Sequence, residues 1–127
     1  MDKDIKTKWV GALRSGEYTQ GIGSLKSKGS EEKLSHCCLG VLCELYDKAT
    51  EGDAWKYGTR SPGGRVLYAH DGETNYPSCE VMDWARLWDV VPDGGDNTVS
   101  IGRDDLAILN DGGKSFEEIA DIIESSL

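Results

Sequence analysis

Phenylalanine occurs once in the 127 residues, against four tryptophans and five tyrosines, so rings that carry a polar handle replace the purely apolar one. No run of apolar side chains approaches the roughly 20 needed for a membrane-spanning helix. The opening Met1-Asp2-Lys3-Asp4 lacks the basic-then-apolar layout of a secretion signal, and the cytoplasm is the expected location. An excess of basic residues is missing too. A formal net charge of −9 argues against a general nucleic-acid binder, because neutralising phosphates needs a basic surface. No repeat or linker divides the chain, whose length suits one domain with a single core.

Cysteines are present but badly placed for a secreted scaffold. Cys37, Cys38 and Cys43 crowd together and Cys79 stands apart, so reduced thiols are expected rather than a disulfide framework. Charge is uneven as well. Residues 1 to 33 hold seven Lys/Arg against five Asp/Glu, while residues 91 to 127 hold two against nine. The C-terminal part therefore presents a negative face, suited to solvation or to a basic partner.

Apolar periodicity predicts an α+β domain of four to five helices packed on a small antiparallel sheet of two hairpins. Ile5, Trp9, Ala12 and Leu13 mark a first amphipathic helix that stops at Gly16. Tyr18, Thr19 and Ile22 lean towards a strand that Leu34 to Cys38 would pair with across a polar loop at 26 to 33. From Cys38 a helix of about three turns is apolar on most faces and belongs at the centre. Residues 50 to 64 read as turns. Arg65 to His70 reads as a strand, and Asp71-Gly72 signals a hairpin leading to Glu73 to Tyr76. Pro77 opens a helix with Val81, Trp84, Ala85 and Trp88 on one face, and Pro92 ends that region. A short strand at Thr98 to Ile101 and a helix at Asp104 to Asn110 follow. Ser115-Phe-Glu-Glu118 is a capping box for a last helix whose buried face holds Phe116, Ile119, Ala120, Ile123 and Leu127.

Four stretches together resemble a family: Trp9-Val-Gly-Ala-Leu-Arg-Ser-Gly16, Cys37-Cys-Leu-Gly-Val-Leu-Cys43, Val81-Met-Asp-Trp-Ala85 and Leu109-Asn-Asp-Gly-Gly-Lys-Ser-Phe-Glu-Glu-Ile-Ala120. They are similar to small proteins of tailed bacteriophages and prophages with a Cys-Cys-Leu-Gly-Val-Leu-Cys core and a Leu-Asn-Asp…Ser-Phe…Ile-Ala tail. The resemblance implies a phage context and the host cytoplasm; it carries no catalytic residue across.

Among chemical constellations, His36-Cys37-Cys38…Cys43 with His70 and Cys79 has zinc-ligand types but not zinc spacing, and core packing explains it better. A thiol nucleophile near a helix N-terminus is the rival reading, without an oriented third member. Gln20-Gly-Ile-Gly-Ser24 offers glycines for close approach of a ligand, yet lacks the ending of a phosphate loop. More suggestive is the set Trp55, Tyr57, Arg60, Arg65 and Tyr68, where stackable rings meet guanidinium groups as in nucleotide sites. The candidate ligand residues are thus Gln20, Trp55, Tyr57, Arg60, Arg65 and Tyr68, with no catalytic residue, metal or cofactor assigned. The expectation is a non-enzymatic phage protein that counters host antiviral defence, by sequestering a nucleotide-like signal or by masking a host defence protein, with no membrane or general nucleic-acid partner and self-association open. The alternatives are a small Cys- or metal-dependent enzyme, and a virion or assembly component.

Overall fold

A computed structural model describes residues 1–29, 33–61, 63–87 and 103–126. The order is α1 (Lys3–Arg14), β1 (Lys26–Lys28), β2 (Leu34–His36), α2 (Cys38–Thr50), β3 (Trp55–Arg60), β4 (Val66–His70), α3 (Cys79–Ala85), α4 (Arg103–Asp111) and α5 (Phe116–Ser126). The strands form one antiparallel sheet in the order β2-β1-β4-β3. This is the expected α+β arrangement of helices on two hairpins, and the β1–β4 pairing joins those hairpins in one sheet.

Local chemistry starts α1 and α5 where the sequence says, while α3 starts two residues beyond Pro77, at Cys79. The Asp2 carboxylate accepts the Ile5 N–H at 3.0 Å ahead of α1, and Ser78 does the same for Val81 ahead of α3. Before α5, Ser115 and Glu118 exchange bonds, each side chain accepting the other's backbone N–H at 3.2 Å. Two strands lie elsewhere than expected. The first forms at Lys26–Lys28 instead of Tyr18 to Ile22, because this short polar piece is flanked on both sides by partners, β2 and β4. Gln20 contributes only a single bridge to His36. The partner of β4 is β3, not Glu73 to Tyr76, which supplies one bridge at Glu73. The β3–β4 turn is closed by the Ser61 N–H donating to the Arg65 carbonyl at 2.8 Å, and Gly64 takes the left-handed conformation there. The expected strand at Thr98 to Ile101, Trp88, Pro92 and Leu127 lie outside the described residues.

The centre of the fold is α2, whose first six residues, Cys38 to Cys43, are all buried. Around it pack Trp9 and Leu13 of α1, Val81 and Met82 of α3, Leu106 of α4 and Ile119 of α5. The N-terminus of α2 is pinned three ways. The Cys38 N–H donates to Asn110 Oδ1 at 3.1 Å, the Cys38 carbonyl accepts the Trp9 indole N–H at 2.9 Å, and the Leu25 carbonyl accepts the Cys37 N–H at 3.3 Å. That last carbonyl lies so near Gly40 that a Cβ there would sit 1.8 Å from it, so only glycine fits.

Asn110 is fully buried and uses its whole capacity: Oδ1 also accepts from Gln20 Nε2 at 3.0 Å, and Nδ2 donates to the Gly21 carbonyl at 2.8 Å and towards Asp111. Gln20 in turn accepts the Phe116 N–H at 3.1 Å and donates to the Lys114 carbonyl at 2.6 Å, which ties the start of α5 to the same knot.

Replacing Gly40 by Ala is expected to cost on the order of 3 kcal/mol or more, because the methyl meets backbone that cannot yield. Gly11, mid-helix in α1 with open space beside it, serves as the contrast: Gly11→Ala should stabilise by about 0.5–1 kcal/mol. Urea unfolding of both variants checks the pair, and equal effects would refute the assignment of Gly40 as a packing requirement.

Candidate functional site

Register sorts the strand side chains onto two faces, since cross-strand partners point the same way and neighbours along a strand point apart. On one face Trp55 pairs with His70. The next row holds His36, Lys26, Tyr68 and Tyr57, and the row after it Leu34, Lys28, Val66 and Arg60. A shift between Tyr57 and Thr59 keeps Arg60 on this face. The opposite face carries Ser35, Ser27, Leu67, Thr59, Ala69 and Lys56.

Helix α2 covers the first end of the first face. His70 is fully buried and its Nε2 donates to Asp47 Oδ1 at 2.8 Å. Glu44 stands 3.4 Å from Lys26 Nζ and 3.6 Å from His36 Nε2, the second distance being beyond hydrogen-bond reach. Burial opposes ionisation of Glu44, but His36 and Lys26 outweigh it and hold the carboxyl below its ordinary range. Trp55 lies between the two histidines, edge-on at 4.8 Å from His70 and 6.2 Å from His36. Tyr18 and Tyr46 extend this chain of edge-to-face rings at its ends, and Trp84 continues it beyond Tyr46. The ammonium of Lys26 sits 4.8 Å from the Trp55 ring centre and 5.5 Å from that of Tyr68.

Beyond α2, among the described residues, the face is partly open. Tyr57 is 64% exposed and stands directly opposite half-buried Tyr68, with Arg60 exposed and Lys28 half-buried in the adjoining row on either side of Val66. None of the four strands contains Asp or Glu, although the whole chain is strongly acidic. Here the protein gathers aromatic surface and positive charge together, a combination suited to a planar anionic ligand.

The six candidate residues separate accordingly. Tyr57, Tyr68 and Arg60 share the open end. Trp55 lies on the same face but is packed against the core and under Lys26. Arg65 precedes Val66 and belongs to the other face, where its guanidinium donates to Ser27 Oγ at 2.8 Å. Gln20 is engaged at the start of α5. Lys28 and Val66 were missed. The i, i+2 spacing of Lys26 and Lys28 carries the signal, but only once residues 26–28 are recognised as a strand.

Cysteine chemistry points inward. All four are free thiols; Cys37, Cys38 and Cys43 are buried and Cys79 is exposed. Burial pushes the Cys37 thiol up to about 11, over the help of the α2 N–H groups, and raises Cys38 and Cys43 well above the ordinary range. Cys37 borders a cavity of about 220 Å³ with Gly23, Asn75, Tyr76 and Asp111, but its neighbour His36 turns away to Glu44 and Trp55. Among the described residues, no three His, Cys, Asp or Glu side chains gather closely enough to hold a metal ion. No described helix is long and apolar enough to cross a membrane.

The whole chain, residues 1–127, matches the family described as "Domain of unknown function (DUF8296)", and the protein belongs to that family. No curated protein and no solved structure matches it.

Native protein treated with iodoacetamide at pH 8 should be alkylated at Cys79 alone, and at all four cysteines in denaturant. Unfolded Cys37 ionises near 9.0 whereas the folded thiol keeps its proton to about 11, so this group's contribution to stability is complete below 9.0 and is lost as pH rises towards 11. Peptide mapping and urea titrations across that window check both statements; modification of Cys37 at the rate of Cys79 would contradict them.

Proposed function

We propose that this protein is a binding protein without catalytic activity that holds a nucleotide-like small molecule on the uncovered end of its sheet. The observation that carries the reading is the cross-strand pair Tyr57–Tyr68 beside the row Lys28–Val66–Arg60, on strands free of carboxylates. A nucleobase stacks on a tyrosine face without demanding a particular hydrogen-bond pattern, while flanking cations neutralise phosphate. The sheet supplies rigidity: both tyrosines belong to paired strands, and α2 fixes the far end of the same face through Glu44 and Asp47.

The resemblance to phage and prophage proteins gives such binding a purpose. In the host cytoplasm a protein of this kind sequesters a nucleotide signal of the antiviral defence and so keeps it from its receptor. High affinity and stoichiometric amounts would replace turnover. The buried thiols, with their raised pKa values, support binding over cysteine chemistry.

Isothermal titration against nucleoside phosphates, cyclic dinucleotides and ADP-ribose tests the reading. Binding of at least one member is expected. Tyr57→Ala should weaken it by about 1–3 kcal/mol through loss of stacking, with the melting temperature unchanged because the side chain is mostly exposed. No binding across the panel would remove the sequestration reading and leave the masking of a host protein to be examined by affinity capture.

A further inference from the structure

We infer that the ligand has one planar ring and one phosphate, as in a nucleoside monophosphate, rather than a phosphate chain or a dinucleotide. The inference rests on the binding reading above and deepens it by counting the cations on that face that have no ion pair among the described residues.

Three cations belong to that face by register: Lys26, Lys28 and Arg60. Lys26 is already engaged, 3.4 Å from Glu44 and over the rings of Trp55 and Tyr68. A phosphate approaching it would also meet the Glu44 carboxylate, which its neighbours keep ionised. Lys28 and Arg60 have no ion pair among the described residues. Each is one strand removed from Val66, so their backbones lie about 10 Å apart at roughly 4.8 Å per strand. Both side chains are long enough to lean inward and meet above Val66, which offers no charge of its own. The result is one clamp: an ammonium point charge from one side and a guanidinium fork from the other, closing on a single phosphate.

The other cations near the sheet do not add a second clamp. Lys56 lies on the opposite face, paired with Ala69, Lys33 directly precedes Leu34 and so alternates to that face too, and Arg65 is tied to Ser27 there. A triphosphate or a dinucleotide would leave charge without a partner in a chain of net charge −9.

Spacing agrees with charge. The tyrosine row and the clamp row are two residues apart along β1 and β4, about 7 Å, and three apart along β3 where the register shifts. The span from a nucleobase to its own 5′-phosphate is of the same order. Tyr57 offers the exposed stacking face, and β3 is the edge of the sheet, so a base can slide in from outside while its phosphate settles over Val66.

Titration calorimetry at low salt decides between ligand classes, with AMP, GMP, CMP and UMP beside the matching nucleosides, inorganic phosphate and a cyclic dinucleotide. At least one monophosphate should bind about tenfold or more tightly than its nucleoside and than phosphate, and more tightly than the cyclic dinucleotide. Arg60→Ala and Lys28→Ala should each weaken that binding roughly tenfold. Lys56→Ala, the same loss of charge on the other face, should leave it unchanged, and thermal melting confirms that each variant is folded. Should Lys28→Ala fold poorly, Lys28→Gln replaces it. A nucleoside that binds as well as its monophosphate, a cyclic dinucleotide that binds more tightly, or equal weakening by Lys56→Ala would overturn the single-phosphate clamp. Any of these with binding still sensitive to Tyr57→Ala leaves the platform standing; silence from every probe takes both down.

Discussion

The carbonyl of Leu25 sets the position of α2, and the rest of the structure follows from where α2 lies. It accepts the Cys37 N–H and presses on Gly40 at a distance that tolerates no side chain. Because Leu25 immediately precedes β1, this contact fixes the helix against the sheet at one point. Asn110 and Trp9 fix the same helix end from the other side through the two backbone groups of Cys38. Buried polar groups are expensive unless satisfied, and each of these finds its partner. The Cys-Cys-Leu-Gly-Val-Leu-Cys core and the Leu-Asn-Asp stretch thus meet in one knot of packing and hydrogen bonds. Their distinctiveness is explained by architecture.

With α2 so placed, one sheet face divides in two. The covered end is a layer of mixed polarity, with His36, His70 and Trp55 on the sheet meeting Glu44, Tyr46 and Asp47 on the helix. The rings meet edge to face, and within this layer both nitrogens of His36, Nε1 of Trp55 and Nδ1 of His70 find no hydrogen-bond partner among the described residues. The uncovered end keeps Tyr57, Tyr68, Lys28, Val66 and Arg60 accessible on a support that the covered end holds rigid. Acidic groups gather elsewhere. On α5, Asp121 and Glu124 both engage Arg14 of α1, which ties those helices together away from the sheet. The chain is acidic as a whole and basic on the strands, a separation that favours recognition of an anion at one place.

Much of this was legible in the residues. Caps and apolar periodicity announced α1 and α5, and apolar periodicity behind Pro77 announced α3, because those signals act within a few positions of each other. The buried nature of α2 showed in its unbroken apolar run. The strands were harder. Lys26-Ser27-Lys28 has no strand propensity and becomes one only because β2 and β4 flank it, a constraint that comes from distant sequence. Trp55 to Arg60 contains a glycine and two charges and reads as turns, yet it pairs along its length with β4. Tyr57, Arg60 and Tyr68 were grouped by residue type alone, and the pairing places them on one face; which of the six candidates share a face depends on register. Gln20 and Arg65 carry suitable chemistry and serve other contacts, a difference visible only in three dimensions.

The central claim is that the uncovered rows of one sheet face form the working surface of the protein. Backbone amide chemical shifts, followed while the tightest-binding nucleotide is titrated in, test it most directly. The account predicts changes concentrated in residues 26–28, 55–60 and 66–70, with those of 20–24 and 107–111 unaffected. Changes centred instead on the cavity beside Cys37 and Asp111 would contradict it.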